Sequence, residues 1–164
     1  MKEYIFEDNA RKDDKLALCV LVENTDYGHG EYYKQIMGAS YDLACIEKMI
    51  TELETKPDTD ENAEYTVYRI KQQYDHIHIS EFDITEPLKD SCYIVYRGPV
   101  FEIAEELLGY FGNRQHAIQS SEYAISFFET EDIICIKVPL DRLYSLEEIE
   151  IGSWDEDEWE FSFD

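Results

Sequence analysis

Two stretches of the chain share one pattern. LALCVLVENTDYGHGEYYKQIMGASYDLACIEKMI (Leu16–Ile50) is followed by EYTVYRI (Glu64–Ile70), and SCYIVYRGPVFEIAEELLGYFGNRQHAIQSSEYAI (Ser91–Ile125) is followed by DIICIKV (Asp132–Val138). Each opens on a short apolar run and passes through an insert ending in Ile36-Met37 or Leu107-Leu108 before a glycine. Each then enters an Ala-containing helical stretch and closes on a β-branched run. Self-similarity at a fixed spacing is the mark of a repeated supersecondary unit. The expectation is an α+β fold: a mixed or antiparallel sheet with two main helices, built from a duplicated strand-hairpin-helix-strand unit. Residues 1–88 would form an N-terminal α+β unit and residues 89–164 a C-terminal one with a strongly acidic end, the two able to pack as one domain.

Local signals fill in this frame. Leu16–Val22 is a short apolar run bounded by charges, which fits a buried strand. Tyr27-Gly28-His29-Gly30 reads as a turn. From Ser40 as N-cap, Leu43, Ile46, Met49, Ile50 and Leu53 recur at helical spacing until Pro57 and the polar run 58–62, the best linker candidate. Tyr65–Ile70, His76–Ile84 and Cys92–Tyr96 read as strands, and Gly98-Pro99 as a turn. Phe101, Ile103, Ala104, Leu107 and Leu108 suggest a second helix ending at Gly109 and Gly112. Tyr123–Phe128 and Ile133–Val138 are expected as paired strands, Leu140–Ile149 as a short helix or turn, and Trp159–Phe163 as a terminal strand.

Charge narrows the function. The 164 residues carry 38 Asp and Glu against 14 Lys and Arg, a net charge of −24. Direct binding to DNA, RNA or an anionic membrane needs a cationic footprint, and the sequence supplies none. The acidity is also localised: residues 99–164 hold 17 acidic and 3 basic side chains, and Glu147–Asp164 has nine carboxylates in eighteen residues with no Lys or Arg. Trp154, Trp159, Phe161 and Phe163 are interleaved with them, whereas a purely solvating tail is poor in aromatics. On a strand, alternate carboxylates stand about 6–7 Å apart, close to the spacing of phosphates along one DNA strand. A chain of this length has a diameter of roughly 40 Å, and duplex DNA of that length carries on the order of two dozen phosphates. Solubility alone needs a net charge of only about 2–8.

Other constellations are thinner. The N-terminus MKEYIFEDNARKDDK has no apolar signal segment, and no run is long enough to span a bilayer, so secretion and membrane insertion are not expected. Cys19, Cys45, Cys92 and Cys135 are widely spaced within apolar stretches, which reads as reduced core thiols of a cytoplasmic protein rather than a disulfide or zinc framework. Cys45 beside His29 or His116 would make a nucleophile and base, yet it falls on an apolar helix face where a thiol is inert. His76-x-His78, with Asp75, Glu81 or Asp83, lacks a fixed third metal ligand and reads as exposed strand histidines. No metal and no cofactor are expected. Gly28-His29-Gly30 lacks the spacing of a phosphate cradle.

In composition and size the chain resembles the small acidic DNA-mimic proteins of phages and mobile elements, the antirestriction and anti-CRISPR type. That resemblance implies a non-enzymatic inhibitor that occupies the basic nucleic-acid channel of a partner protein. Trp154 and Trp159 would be the anchors, with Asp155, Glu156, Asp157, Glu158 and Glu160 as the charged frame. An immunity protein neutralising a basic nuclease toxin would use the same physics. Tyr96-Arg97-Gly98, then Ser120-Ser121 with Ala124, then Glu158-x-Glu160 also resembles the residue order of ADP-ribosyltransferases, though without their Ser-Thr-Ser motif. That resemblance implies Arg97 holding the dinucleotide, Ser120 opening the next motif and Glu160 orienting the ribose.

Overall fold

The computed structural model describes residues 4–8, 10, 16–28, 31–56, 63–71, 86–98, 107–144, 150–155 and 158–163; residues 26–28, 31–33, 154–155 and 158–163 are described as backbone and register. Among these the chain forms β1 (Tyr4–Asp8), β2 (Leu18–Gly28), β3 (Glu31–Ser40), α1 (Leu43–Glu54), β4 (Ala63–Ile70), β5 (Ser91–Arg97), β6 (Leu107–Phe111), α2 (Arg114–Phe128), β7 (Ile133–Pro139), β8 (Glu150–Asp155) and β9 (Glu158–Phe163). One sheet has the order β1-β4-β2-β3, with β1 parallel to β4, and the other the antiparallel order β6-β5-β7-β8-β9. The α+β fold expected from the sequence is the one observed.

The duplication extends to single residues. In each unit the first strand is central, its hairpin partner lies on one side, and the strand after the helix lies antiparallel on the other: β3-β2-β4 and β6-β5-β7. Leu21 is flanked by Gly38 and Val67, and Val95 by Gly109 and Cys135. One step further each hairpin shifts register, so that Met37 and Leu108 become the extra residue of a β-bulge. The helix caps follow at matching distance, Asp42 after Gly38 and Asn113 after Gly109. The two glycines are required for different reasons. A Cβ on Gly38 would meet Met49 Sδ at 2.8 Å and the Arg142 carbonyl oxygen at 3.2 Å. Gly109 has φ 153°, a conformation that L-residues rarely adopt.

The two sheets stack face to face, β4 against β6 and β3 against β7. Leu18, Val20, Val22 and Ile36 meet Ile94, Tyr96, Ile134 and Ile136 between them. On the outer face of the first sheet, α1 sets Ile46, Met49, Ile50 and Leu53 onto Leu21, Tyr65 and Val67. On the outer face of the second, α2 sets Ala117 and Ala124 onto Val95, Phe111, Ile133 and Cys135. The result is an α/β/β/α sandwich. Strands β2, β5 and β7 are covered on both faces, which is why LALCVLV, CYIVY and IICIKV are apolar without alternation. Each fully buried aliphatic side chain there contributes about 1.5–3 kcal/mol.

After β7 the chain ties the sheets together. Leu140 bridges to Ala39, the Asp141 amide donates to the Ala39 carbonyl at 2.9 Å, and Ser40 Oγ donates to Asp141 Oδ1 at 2.6 Å. The Tyr144 hydroxyl donates to the Ile36 carbonyl. Residues 140–144 thus lie along β3, the last strand of the first sheet on that side, while β8 and β9 continue the second sheet past it.

Several local expectations are corrected. Leu107 and Leu108 belong to a strand rather than a helix, because LLGYF is a short apolar run buried throughout, and periodicity cannot separate such a run from a helix turn. Tyr123–Phe128 is the end of α2 rather than a strand. Its buried stripe is Ala117, Ser120, Ser121 and Ala124, small residues that leave no large-apolar periodicity to read. The α1 N-cap is Asp42, whose carboxylate accepts from the Ala44 amide, and Ser40 instead accepts from the Asp42 amide. Strands β1, β3 and β8 were not expected as separate elements. The expected strand His76–Ile84, the linker 58–62 and the residues 145–149 lie outside the described residues.

Candidate protein-binding face at one end of the second sheet

The acidic C-terminus is a hairpin rather than a tail. β8 pairs with β7 and β9 with β8, extending the second sheet by two strands. In this ladder Trp154 stands opposite Trp159, Asp155 opposite Glu158 and Ser153 opposite Glu160. Glu156 and Asp157, between the strands, lie outside the described residues. Opposed like charges cost roughly 0.2–1 kcal/mol, while an opposed aromatic pair contributes a similar amount. The register therefore sets a pair of acidic positions next to a pair of tryptophan positions.

Register decides what shares a row with these residues. Phe111, Tyr93, Lys137, Glu150 and Phe163 form one row across the sheet, and Gly152 and Phe161 extend the row of Val95 and Cys135. Of these, Phe111, Tyr93, Val95 and Cys135 pack under α2. The intervening rows, Ile136–Ile151–Ser162 and Ile134–Ser153–Glu160, belong to the face that looks toward the first sheet. Aromatic and acidic positions of β9 thus fall on opposite faces, as alternation requires, with the acidic rows on a part of the sheet that runs beyond β3.

The hairpin turn has a neighbour. Arg97 pairs with Ile133, and Ile134 pairs with Ser153, so Trp154 and Trp159 lie at the sheet end where α2 hands over to β7. Phe127 and Tyr123 are exposed on α2 by 47% and 40%, stacked at 6.2 Å with planes 16° apart. Phe127 meets Phe128 edge-on at 4.9 Å, and the Arg97 guanidinium lies 4.5 Å over the Phe128 ring. Glu122, Glu129, Glu131 and Asp132, close to these residues in the chain, are all exposed. The connection is held by backbone bonds: Thr130 N–H to Ile125, Ile133 N–H to Glu131, and Gly98 N–H to the Asp132 carbonyl at 2.8 Å. Glu129 caps α2 in the left-handed conformation (φ 52°, ψ 46°), a place where glycine is the usual residue.

Sequence reasoning singled out the hairpin and missed this second group. The signal was Tyr123 and Phe127 at i, i+4, which becomes legible only once Arg114–Phe128 is read as a helix. Its cap is clear: Asn113 Oδ1 accepts from the Gln115 amide at 2.7 Å and the His116 amide at 3.4 Å.

One carboxylate behaves differently from the rest. Glu150 is buried, and Arg114 Nη2, at the first turn of α2, lies 3.3 Å from its Oε1, within ion-pair range though without hydrogen-bond alignment. The pair joins α2 to β8, so that the hairpin is anchored to the helix as well as to β7. Burial pushes the Cys92 and Cys135 thiols up, so both are inert.

The remaining candidates lie elsewhere in the fold or outside the described residues. Cys45 is half-buried on α1 with Sγ against the Asp141 carbonyl at 3.4 Å. Ser120 is wholly buried on α2, and the Arg97 guanidinium lies over the Phe128 ring. His76 and His78 lie outside the described residues, and among those described no group of three His, Cys, Asp or Glu side chains is placed to hold a metal ion. No helix among the described residues is long and apolar enough to cross a membrane. No protein family, curated protein or solved structure matches the chain.

Proposed function

We propose that this protein is a non-enzymatic acidic inhibitor that binds the basic nucleic-acid-handling surface of a partner protein and so competes with DNA or RNA. The observation that carries the reading is the location of the charge. Of the −24 net charge, −14 falls in residues 99–164, which supply β6, α2, β7, β8 and β9, and the register brings the hairpin positions Trp154, Asp155, Glu158, Trp159 and Glu160 together at the β9 edge of the second sheet. Self-repulsion at this net charge destabilises any folded chain, and a cationic target is the state in which that repulsion is relieved. Long-range attraction would steer the encounter, and the aromatic positions would supply the contacts that slow dissociation.

The test has two arms. Basic proteins retained from lysate on the immobilised chain are challenged with salt and with duplex DNA, and the same is done with the variant carrying Asp155→Asn, Glu156→Gln, Asp157→Asn, Glu158→Gln and Glu160→Gln. The reading expects retention that falls steeply with ionic strength, is displaced by DNA, and is lost in the variant. Retention indifferent to DNA, or unchanged in the variant, would remove it. Whether the partner is a defence protein or a nuclease toxin is then read from its own activity.

A further inference from the structure

We infer that the exposed face of α2 at its C-terminal end, with Tyr123 and Phe127 and the exposed carboxylates Glu122, Glu129, Glu131 and Asp132 that flank them in the chain, is a docking surface for an arginine-rich segment of the partner. This rests on the proposed inhibition and names the chemistry that one part of the surface reads.

Three observations converge on it. First, two large aromatic rings are exposed side by side at helical spacing and stacked on one another, with their outer faces on the solvent side of α2. Second, the same cluster already holds a guanidinium, since Arg97 lies 4.5 Å over Phe128, which in turn contacts Phe127. The surroundings therefore suit a planar cation on a ring. Third, every described charged side chain from Glu122 to Asp132 is a carboxylate, and Glu129 occupies a left-handed position where glycine would be less strained.

Charge complementarity selects the occupant. A second copy of a chain with net charge −24 would bring carboxylates onto carboxylates. Lysine ammonium would satisfy the acidic rim but gains less over a ring, being compact and strongly hydrated. Arginine satisfies both features: its plane stacks on Tyr123 and Phe127 while its fork reaches a carboxylate. The tryptophan positions of the hairpin lie at the same end of the sheet, so one extended cationic segment could touch both.

The probes are oligo-arginine and oligo-lysine peptides of equal length and charge, titrated by fluorescence anisotropy at low and at physiological ionic strength. The native chain should prefer the arginine peptide by about tenfold, as expected for two cation–π contacts. Tyr123→Ser with Phe127→Ser should bring the two affinities to within about twofold while leaving lysine binding in place. Glu129→Gln, Glu131→Gln and Asp132→Asn together should weaken both peptides. Circular dichroism of each variant confirms the fold, which exposed positions leave intact. An undiminished preference in the double variant would overturn the inference, as would equal affinities in the native chain. A concentration-dependent dimer that Phe127→Ser dissolves would also overturn it, by assigning the face to a second copy. The hairpin variant separates this from the reading it rests on. If only that variant loses the peptides, the hairpin acts alone and α2 is not part of the surface; if only the α2 variants lose them, the surface is here and the hairpin reading fails.

Discussion

Replacing Glu129 by glycine should make the protein more stable and a poorer binder of cationic partners. Glu129 ends α2 at φ 52° and ψ 46°, with its backbone N–H bonded to the Ile125 carbonyl and its side chain exposed. An L-residue in this conformation is strained by about 1–2 kcal/mol through the clash of Cβ with the following carbonyl. Glycine removes the clash but enlarges the unfolded ensemble, which returns about 0.5–1 kcal/mol. The net gain is about 0.5–1 kcal/mol, and in a chain of this size it raises the melting temperature by roughly 1–4 °C. The carboxylate lost is one of four exposed on that surface, so affinity for an oligo-arginine peptide should fall by a modest factor, about two to three, the scale of a surface ion pair. Thermal unfolding by far-UV circular dichroism gives the first quantity and peptide titration the second. A destabilised Glu129→Gly variant would refute the assignment of strain. A stabilised variant with undiminished peptide affinity would refute the claim that the carboxylate is kept for a partner.

Tyr65 offers a second case of a group at odds with its surroundings. Its ring is buried beneath α1 and its hydroxyl has no hydrogen-bond partner among the described residues, so Tyr65→Phe should stabilise the protein by about 1–2 kcal/mol in urea unfolding. Burial, with Glu23 and Glu54 nearby, pushes that phenol from the usual 10 up to about 12. Below pH 10 the phenol is protonated in both states and its contribution is intact. As the pH rises from 10 toward 12 the unfolded chain ionises first, so stability falls across that window, and the fall should be shallower in Tyr65→Phe. Gly109→Ala forces a side chain onto φ 153° in β6, the edge strand of the second sheet that pairs with β5, and should cost about 1–3 kcal/mol in the same assay. Glu158→Gln relieves the carboxylate pair with Asp155 in the hairpin ladder and should raise stability by a few tenths of a kcal/mol, about the scale of one cross-strand pair, while weakening any cationic partner.

How much of this was legible in the sequence differs from element to element. The repeat was visible because Ile36-Met37-Gly38 and Leu107-Leu108-Gly109 mark the same bulge, and a bulge constrains sequence even when neighbouring strands diverge. LALCVLV, CYIVY and IICIKV were readable as strands because both faces of β2, β5 and β7 are buried. β6 and α2 were misread for opposite reasons: LLGYF is too short to show a period, and α2 meets the sheet chiefly through Ala and Ser while Tyr123 and Phe127 are exposed to solvent. The acidic hairpin was found by composition, but its pairing was not, because Glu150–Asp155 mixes a buried carboxylate, a glycine and a serine in a strand. That carboxylate is accommodated by Arg114 from a helix thirty-six positions earlier, a long-range contact that no local pattern announces.

The central claim is that the acidic, aromatic end of the second sheet occupies the nucleic-acid site of a basic partner. The direct measurement is the DNA occupancy of one captured partner, followed by fluorescence anisotropy of a labelled duplex as this protein is added. Occupancy should fall to zero with a one-site competition curve, and the apparent competition constant should weaken steeply as salt is raised. A stable ternary complex of partner, duplex and this protein, with anisotropy rising rather than falling, would contradict the account.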